Sequence, residues 1–317
     1  MKPIVVVGSI NTDLVLRAER LPLPGETLHA ASFSIFTGGK GANQATAVAR
    51  LGGRAIMLGL VGRDSLGDGL LTSLAEAGLA TNLIGRAEGG SGVAVITVTA
   101  SGENAILLSA GANGQLSPDL LYAHRDRIAG AGMVLTQLET PLPTLDALAL
   151  LCEEYGVPLM LDPAPAQAFS AETIRKVTWL TPNESEAELL FGTWLGEASE
   201  RRLRELADSI LRDGPRNLLL KLGGRGAYLA TATGIREMIA PFSVAVVDTT
   251  AAGDCFNGAF AWRLVYGDDP RESARFAAAA AAVSVTRTGA LPSLPTEAEV
   301  RTLMDTMQSS SPLEVRS

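Results

Sequence analysis

The sequence predicts an α/β fold, a doubly wound and mostly parallel sheet flanked by helices, with a small antiparallel β lid. Three observations point there. Short β-branched runs alternate with segments whose apolar residues recur every three or four positions. Two stretches break that rhythm and set strand-like runs back to back through turns. The 317 residues suffice to bury a large core, and no Pro- or Ser-rich linker divides them.

Residues 4–7, 55–60, 133–137, 158–162 and 217–222 are apolar runs of strand length. They lack polar alternation, so they read as strands covered on both faces. Between them, 42–51, 67–77, 118–128, 142–155 and 199–212 carry helical spacing. In such sheets ligands sit beyond the carboxyl ends of the strands. The two exceptions, roughly 12–36 and 91–109, read as lid segments that pair with each other over the sheet or with a second subunit. The domain is expected over 1–308, with 309–317 (SSSPLEVRS) a disordered tail.

Composition excludes several classes. Lys plus Arg number 26 against 34 Asp plus Glu, a net charge of −8 without a dense basic run, which argues against nucleic acid as a partner. Cys152 and Cys255 are far apart and form no CxxC pair, so neither a disulfide framework nor a zinc knuckle is expected. His29 and His124 lie in no HExxH or triad-like setting, which leaves carboxylate chemistry. The N-terminus shows no export signal and the apolar runs are too short for a bilayer, so the reading is a soluble cytoplasmic protein without a membrane partner.

Val246 to Trp262 is the most informative segment: a strand-like run, then Ala251-Ala252-Gly253, then an apolar helix with Asp254 at its start. Small residues let backbone approach a ligand, and a helix start offers unpaired N–H groups to an anion. Asp254 there is either an N-cap or a working carboxylate, with a pKa lowered by the helix dipole. Gly38-Gly39-Lys40-Gly41-Ala42-Asn43-Gln44-Ala45 is a second glycine-rich turn into a helix. It is not a Walker A loop, because Lys40 is followed by Gly41. Asn11 and Asp13 leave the first strand on one side of an extended segment, a pair able to grip vicinal hydroxyls. Thr181-Pro182-Asn183-Glu184 reads as a capping box with Pro at the first helical position. That leaves Glu186, three residues from Asn183, to hold hydrated Mg²⁺ or a phosphate. Leu222-Gly223-Gly224-Arg225-Gly226 is a tight turn at a strand end.

Together these segments resemble the ribokinase family of sugar kinases, from Val5 to about Leu303. One family signature is carried by Gly38 to Ala45 with Gly52 and Gly62; the other by Asp248-Thr249-Thr250-Ala251-Ala252-Gly253-Asp254 with Gly258-Ala259. Gly8 to Asn11, Gly111 to Asn113, Gln137 to Pro141, Asp162 to Pro165 and Thr286 to Ala290 are more similar to its ribose-phosphorylating members than to fructokinases or adenosine kinases. The resemblance implies Asn11, Asp13, Gly39, Lys40, Asn43 and Glu139 around ribose. Asp254 would take the hydroxyl proton, and the Ala252, Gly253 and Asp254 amides would form an anion hole. It implies Asn183, Lys221, Gly223, Gly226 and Asn257 on the ATP side and Glu186 organising Mg²⁺ through water. Asp248, Thr250, Ser284, Arg287, Gly289 and Ser293 would form a K⁺ site, largely through carbonyls. Lys221 departs from the family, where a small hydroxyl residue is common, and so does Ala278, where a polar side chain often touches the base. A homodimer through the lid is expected. Competing readings are a kinase for another sugar or nucleoside, and a non-catalytic sugar-sensing regulator.

Overall fold

The structure, a computed structural model, describes residues 2–309; of the expected tail only Ser309 lies within them, at the end of the last helix. The first half runs β1 (Ile4–Val7), β2 (Asn11–Ala18), β3 (Ser32–Gly38), α1 (Lys40–Arg50), β4 (Ala55–Gly62), α2 (Ser65–Glu76), β5 (Ile84–Ala87), β6 (Gly92–Thr99) and β7 (Asn104–Ser109). Then come α3 (Pro118–Ala123), α4 (Arg125–Ala129), β8 (Met133–Thr136), α5 (Leu142–Tyr155), β9 (Leu159–Leu161), α6 (Ala171–Lys176), β10 (Trp179–Leu180), α7 (Glu184–Phe191) and α8 (Glu200–Asp213). The chain ends with β11 (Asn217–Lys221), β12 (Ala227–Thr231), β13 (Arg236–Ile239), α9 (Ala252–Tyr266), α10 (Pro270–Ser284) and α11 (Glu297–Ser309). The helix expected over 118–128 is broken at His124, whose φ of −112° and ψ of 17° leave the helical region.

Nine strands form the main sheet in the order β13-β12-β11-β10-β9-β8-β1-β4-β5. Pairing is parallel from β5 to β11, and only the β11-β12-β13 edge is antiparallel. The apolar runs of the central strands follow from a core on each face. Ile4 and Val6 of β1 pack into one cluster with α1, α9 and α10, while Val5 and Val7 pack into the other with α5 and α8. Removing such a side chain from water stabilises the fold by about 1.5–3 kcal/mol. The chain winds outward from β1 through β4 to β5, then returns to β8 on β1's other side. The gap between β1 and β8 is therefore the switch point, where loops part and leave a crevice.

The lid is a four-stranded sheet ordered β3-β2-β6-β7. Its two hairpins are antiparallel, and β2 joins β6 in parallel with Asn11 opposite Gly92. Both lid segments thus pair with each other, rooted at the mouth of the crevice. On the opposite wall α1 packs tightly on α9. A β-carbon on Gly258 would come within 2.8 Å of both Ala47 Cβ and the Gln44 carbonyl oxygen, so that glycine sets the helix spacing. The contact aims the first turn of α9 at the first turn of α1.

Candidate active site

Polar residues leave the carboxyl edge of five adjacent strands: Ser9 after β1, Glu139 after β8, Asp162 after β9, Asn183 after β10, and Lys221 at the end of β11. Asp162, Asn183 and Lys221 border a cleft of about 670 Å³ whose walls include Lys40, Glu186, Gly223, Gly253 and Asp254, while Ser9 and Glu139 lie outside that wall.

At the switch point Glu139 organises one cluster. Its Oε2 accepts from Ser9 Oγ at 2.5 Å, from Asn11 Nδ2 at 3.4 Å and from the Lys40 amide at 3.4 Å. Asn113 fixes Asn11 from behind, donating to its Oδ1 at 2.7 Å and accepting from the Ile10 amide at 2.9 Å. Gly39, with φ of 89°, precedes α1, and a β-carbon there would meet the Asn11 nitrogen at 2.7 Å. The loop can lie this close to β2 only as glycine. Asp13 shares the setting: burial, reinforced by Glu139 and Asp254, pushes its carboxyl up to about 7, with Lys40 opposing.

Asp254 sits in the first turn of α9, but it is not the N-cap; that position is Ala251, with φ of 60° and no side-chain cap. The buried carboxylate accepts instead from α1: Asn43 Nδ2 reaches Oδ2 at 2.9 Å and Gln44 Nε2 reaches Oδ1 at 3.0 Å. Among the described residues, Asn43 Oδ1 is a buried acceptor with no partner. The dipole-based expectation of a lowered pKa is overturned. Burial raises Asp254 to about 6 and Asp162 pushes the same way, against the pull of Lys40 and the two amides. Lys40 responds in kind. Burial favours its neutral form, but Asp254, Asp162 and Glu139 outweigh that and hold its pKa above the usual lysine value.

The turn expected to bind an anion has fewer free amides than the three expected. The Ala252 amide donates to the Thr249 carbonyl at 3.2 Å and Cys255 to Ala251 at 2.8 Å. Among the described residues the Gly253 and Asp254 amides have no such partner, so these two are the donors open to a ligand.

Across the cleft, the capping box is corrected. Thr181 is still extended, its amide donating to Leu161 at 3.0 Å, so the helix cannot begin at Pro182. Asn183 is the N-cap: its Oδ1 accepts from the Glu186 amide at 2.8 Å, and Glu186 Oε2 accepts from the Asn183 amide at 2.8 Å. Glu186 thus serves the cap, and Glu184 turns away to pair with Arg225. Burial raises the pKa of Glu186, opposed by Lys221.

Two residues expected on the nucleotide side do not reach the cleft wall. Gly226, with φ of 91°, packs its turn against β13, where a β-carbon would strike the Ile239 carbonyl at 2.1 Å. Asn257, on the inner face of α9, is wholly buried, and among the described residues its side-chain amide has no partner. Segments expected around K⁺ do converge: Asp248 accepts from the Thr250 amide at 2.9 Å and from the Gly289 amide at 2.9 Å. Ser284 and Ser293 hydroxyls bond carbonyls within their own turns, and Arg287 turns to Glu299.

The sequence motifs contain Gln44 and Asp162 without pointing to a role for either. Gln44 Nε2 also donates to Asp162 Oδ2 at 3.0 Å, and its Oε1 accepts from Gln137 Nε2 at 2.8 Å. The only sequence signal is position, Gln44 within the glycine-rich motif and Asp162 directly after an apolar run.

Residues 1–297 match the pfkB family carbohydrate kinase profile. The chain is similar to the ribokinase of Schizosaccharomyces pombe, 40% identical over 94% of this chain and 96% of that one. It is similar also to the ribokinase of Haemophilus influenzae, 39% identical over 94% and 97%. Among solved structures it resembles Arabidopsis thaliana ribokinase complexed with ribose and ATP, at 33% identity and a TM-score of 0.88, covering 96% of this chain and 98% of that one. With this geometry and this likeness along nearly its whole length, the chain belongs to the pfkB family of carbohydrate kinases.

Proposed function

We propose that the chain transfers the γ-phosphoryl group of ATP to the primary hydroxyl of ribose, giving ribose 5-phosphate and ADP. The observation that carries this reading is the buried Asp254 carboxylate, fixed by Asn43 and Gln44 beside two open amides at the start of α9. Such a site needs an acceptor hydroxyl on one side and a phosphoryl group on the other. Asn11, Asp13, Lys40, Asn43 and Glu139 supply donors and acceptors for a small polyol, and Gly39 brings backbone against it. Asn183, Glu186, Lys221 and Gly223 border the side open to a nucleotide.

As the hydroxyl oxygen bonds to phosphorus, its proton passes to Asp254 and the bond to the bridging oxygen of ADP breaks, its electron pair leaving with ADP. The Gly253 and Asp254 amides hold charge on the moving group. A carboxylate near 6 is ionised at neutral pH yet basic enough to accept a late proton. Closing the lid would exclude water from that proton transfer.

Two ions belong to this reading. Among the described residues no group of three His, Cys, Asp or Glu side chains could grip a metal directly. The donor set fits Mg²⁺ carried on nucleotide phosphates and reached from Glu186 through water, where it would neutralise phosphate charge. The Asp248–Gly289 contact fits a K⁺ site of carbonyls from the loops it joins, beside the turn that leads into α9.

We place the protein in the cytoplasm, a reading supported by two buried, unpaired cysteines; no helix among the described residues is long and apolar enough to cross a membrane. Phe33, Ile35, Ile106 and Leu107 stand exposed on the lid, and covering them with a second lid would make a homodimer. A monomeric mass in light scattering would reject that part.

ADP release across a panel of sugars and nucleosides tests the whole. Release with ribose well above the rest is expected. Preference for another acceptor would reassign the substrate, and binding without release would make the chain a sugar sensor.

A further inference from the structure

Lys221 is the cation that the resemblance leaves without a reason, and its surroundings supply one. It ends β11 with a side chain 12% exposed, reaching the cleft, and Nζ donates to Asp162 Oδ1 at 2.8 Å. The other oxygen of Asp162 accepts from Gln44 Nε2, the same nitrogen that donates to Asp254. One amide therefore ties the base and the Lys221–Asp162 pair into a single frame. On its cleft side Nζ lies 3.5 Å from where a β-carbon on Gly253 would stand, directly over the turn with the open amides.

A buried ion pair contributes little net stability, since two apolar residues of like volume would often do as well. An ammonium has three donors, and the hydrogen bond to Asp162 uses one of them. We propose that Lys221 is a catalytic residue whose ammonium donates to a nonbridging oxygen of the transferred phosphoryl group, and that Asp162 is the positioning residue that aims it. Lys221 stays protonated throughout; the hydroxyl proton goes to Asp254 and the leaving electron pair to ADP. The inference rests on the phosphoryl-transfer reading above and gives Lys221 a task in the transition state beyond holding ATP.

The test compares wild type, Lys221→Met, Asp162→Asn and the double variant, which removes both charges and leaves no orphaned carboxylate. Measurements are sugar-dependent ADP release, affinity for ADP alone, and affinity for ADP with aluminium fluoride and sugar as a mimic of the transferring group. Lys221→Met and the double variant should each lose ~10²-fold in kcat, the scale for a transition-state donor. The fluoride complex should weaken in parallel and ADP alone by less than threefold. Asp162→Asn should lose less than either, because the cation remains. Recovery of kcat in the double variant would reduce Lys221 to a counter-ion for Asp162 and overturn the proposal, as would a loss confined to KM for ATP. Should the double variant not fold, Lys221→Gln, which can still bond Asp162, serves in its place with the same two outcomes. Wild type that releases no ADP with any sugar would sink the underlying reading instead, a result distinct from an active wild type matched by an active Lys221→Met.

Discussion

Two helices begin at the same cleft, and their first turns are built in opposite ways. α7 is closed on itself: Asn183 and Glu186 satisfy each other's amides in a reciprocal cap. α9 is open: its N-cap is Ala251 in a left-handed conformation, no side chain caps it, and its one carboxylate is turned sideways to α1. An uncapped helix start inside a protein leaves donors that something must satisfy. In the proposed reaction this difference divides the labour: the closed end forms a fixed wall, and the open end offers its amides and its acid to the phosphoryl group.

The sharpest way to break that contrast is to neutralise the open end. Asp254→Asn keeps an amide-sized group among Asn43, Gln44 and the cleft but removes the proton acceptor. Turnover should fall ~10²-fold or more, with sugar affinity measured by calorimetry largely kept. Near-normal turnover would show that the carboxylate is not the base.

Next in size is the spacing that aims α9. Gly258→Val would press a branched side chain onto Ala47 Cβ and the Gln44 carbonyl, each 2.8 Å from a first added carbon. Overpacking of this kind costs about 1–3 kcal/mol. Stability should drop in urea, and kcat should drop as well, because Gln44 is the residue displaced. Gly69→Ala, where a β-carbon has nothing within 4 Å, serves as the control.

The pH profile separates burial from helix dipole. Asp254 must be ionised to accept a proton, so with its pKa raised to about 6 the rate should fall tenfold per unit below that pH. A dipole-dominated acid would keep full rate down to the ordinary carboxylate range near 4. Lys40 holds the value down, so Lys40→Met should move the limb to higher pH. Asp13, raised to about 7, is separated by Asp13→Asn: a limb that survives that change belongs to Asp254. The same two shifts predict that the ligand-free protein loses stability as pH rises from about 4 to 7, because the folded state binds protons that the unfolded state has released.

Much of the fold was legible in the sequence where one signal had no rival. Ile4–Val7 and Leu142–Tyr155 match the expected bounds because an apolar run and a helical stripe each end at a glycine or proline. The two-residue β10 and the edge strands β5 and β13 were missed, being too short or too polar to stand out. Lid pairing was legible, but the parallel junction of β2 with β6 was not, since it joins strands far apart in the chain, Asn11 opposite Gly92, that no local pattern matches. In the site, the motif glycines, Lys40 and Asp254 stood out by their position at turns into helices, whereas Asn43 was singled out only through the family resemblance. Gln44 and Asp162 acquired a role only when residues 118 positions apart met, and the sign of the Asp254 shift needed its burial, which no local pattern encodes.

The smallest expected effect bears on the closed end. Thr181–Glu184 and Asn183–Glu186 both have capping-box spacing, and the choice between them is made by β10: Thr181 is held extended by Leu161, so only Asn183 can cap. Asn183→Ala should cost about 1 kcal/mol of stability, while Asn183→Asp keeps an oxygen for the Glu186 amide and should cost less. Thr181→Ala would leave the cap intact, its hydroxyl having only a 3.4 Å contact to the Leu161 carbonyl. Because α7 makes a wall of the cleft, Asn183→Ala should raise KM for ATP and change kcat little, the reverse of Asp254→Asn. If instead Asn183→Ala lowered kcat as far as Asp254→Asn does, the two helix starts would share the work and the contrast between them would fall.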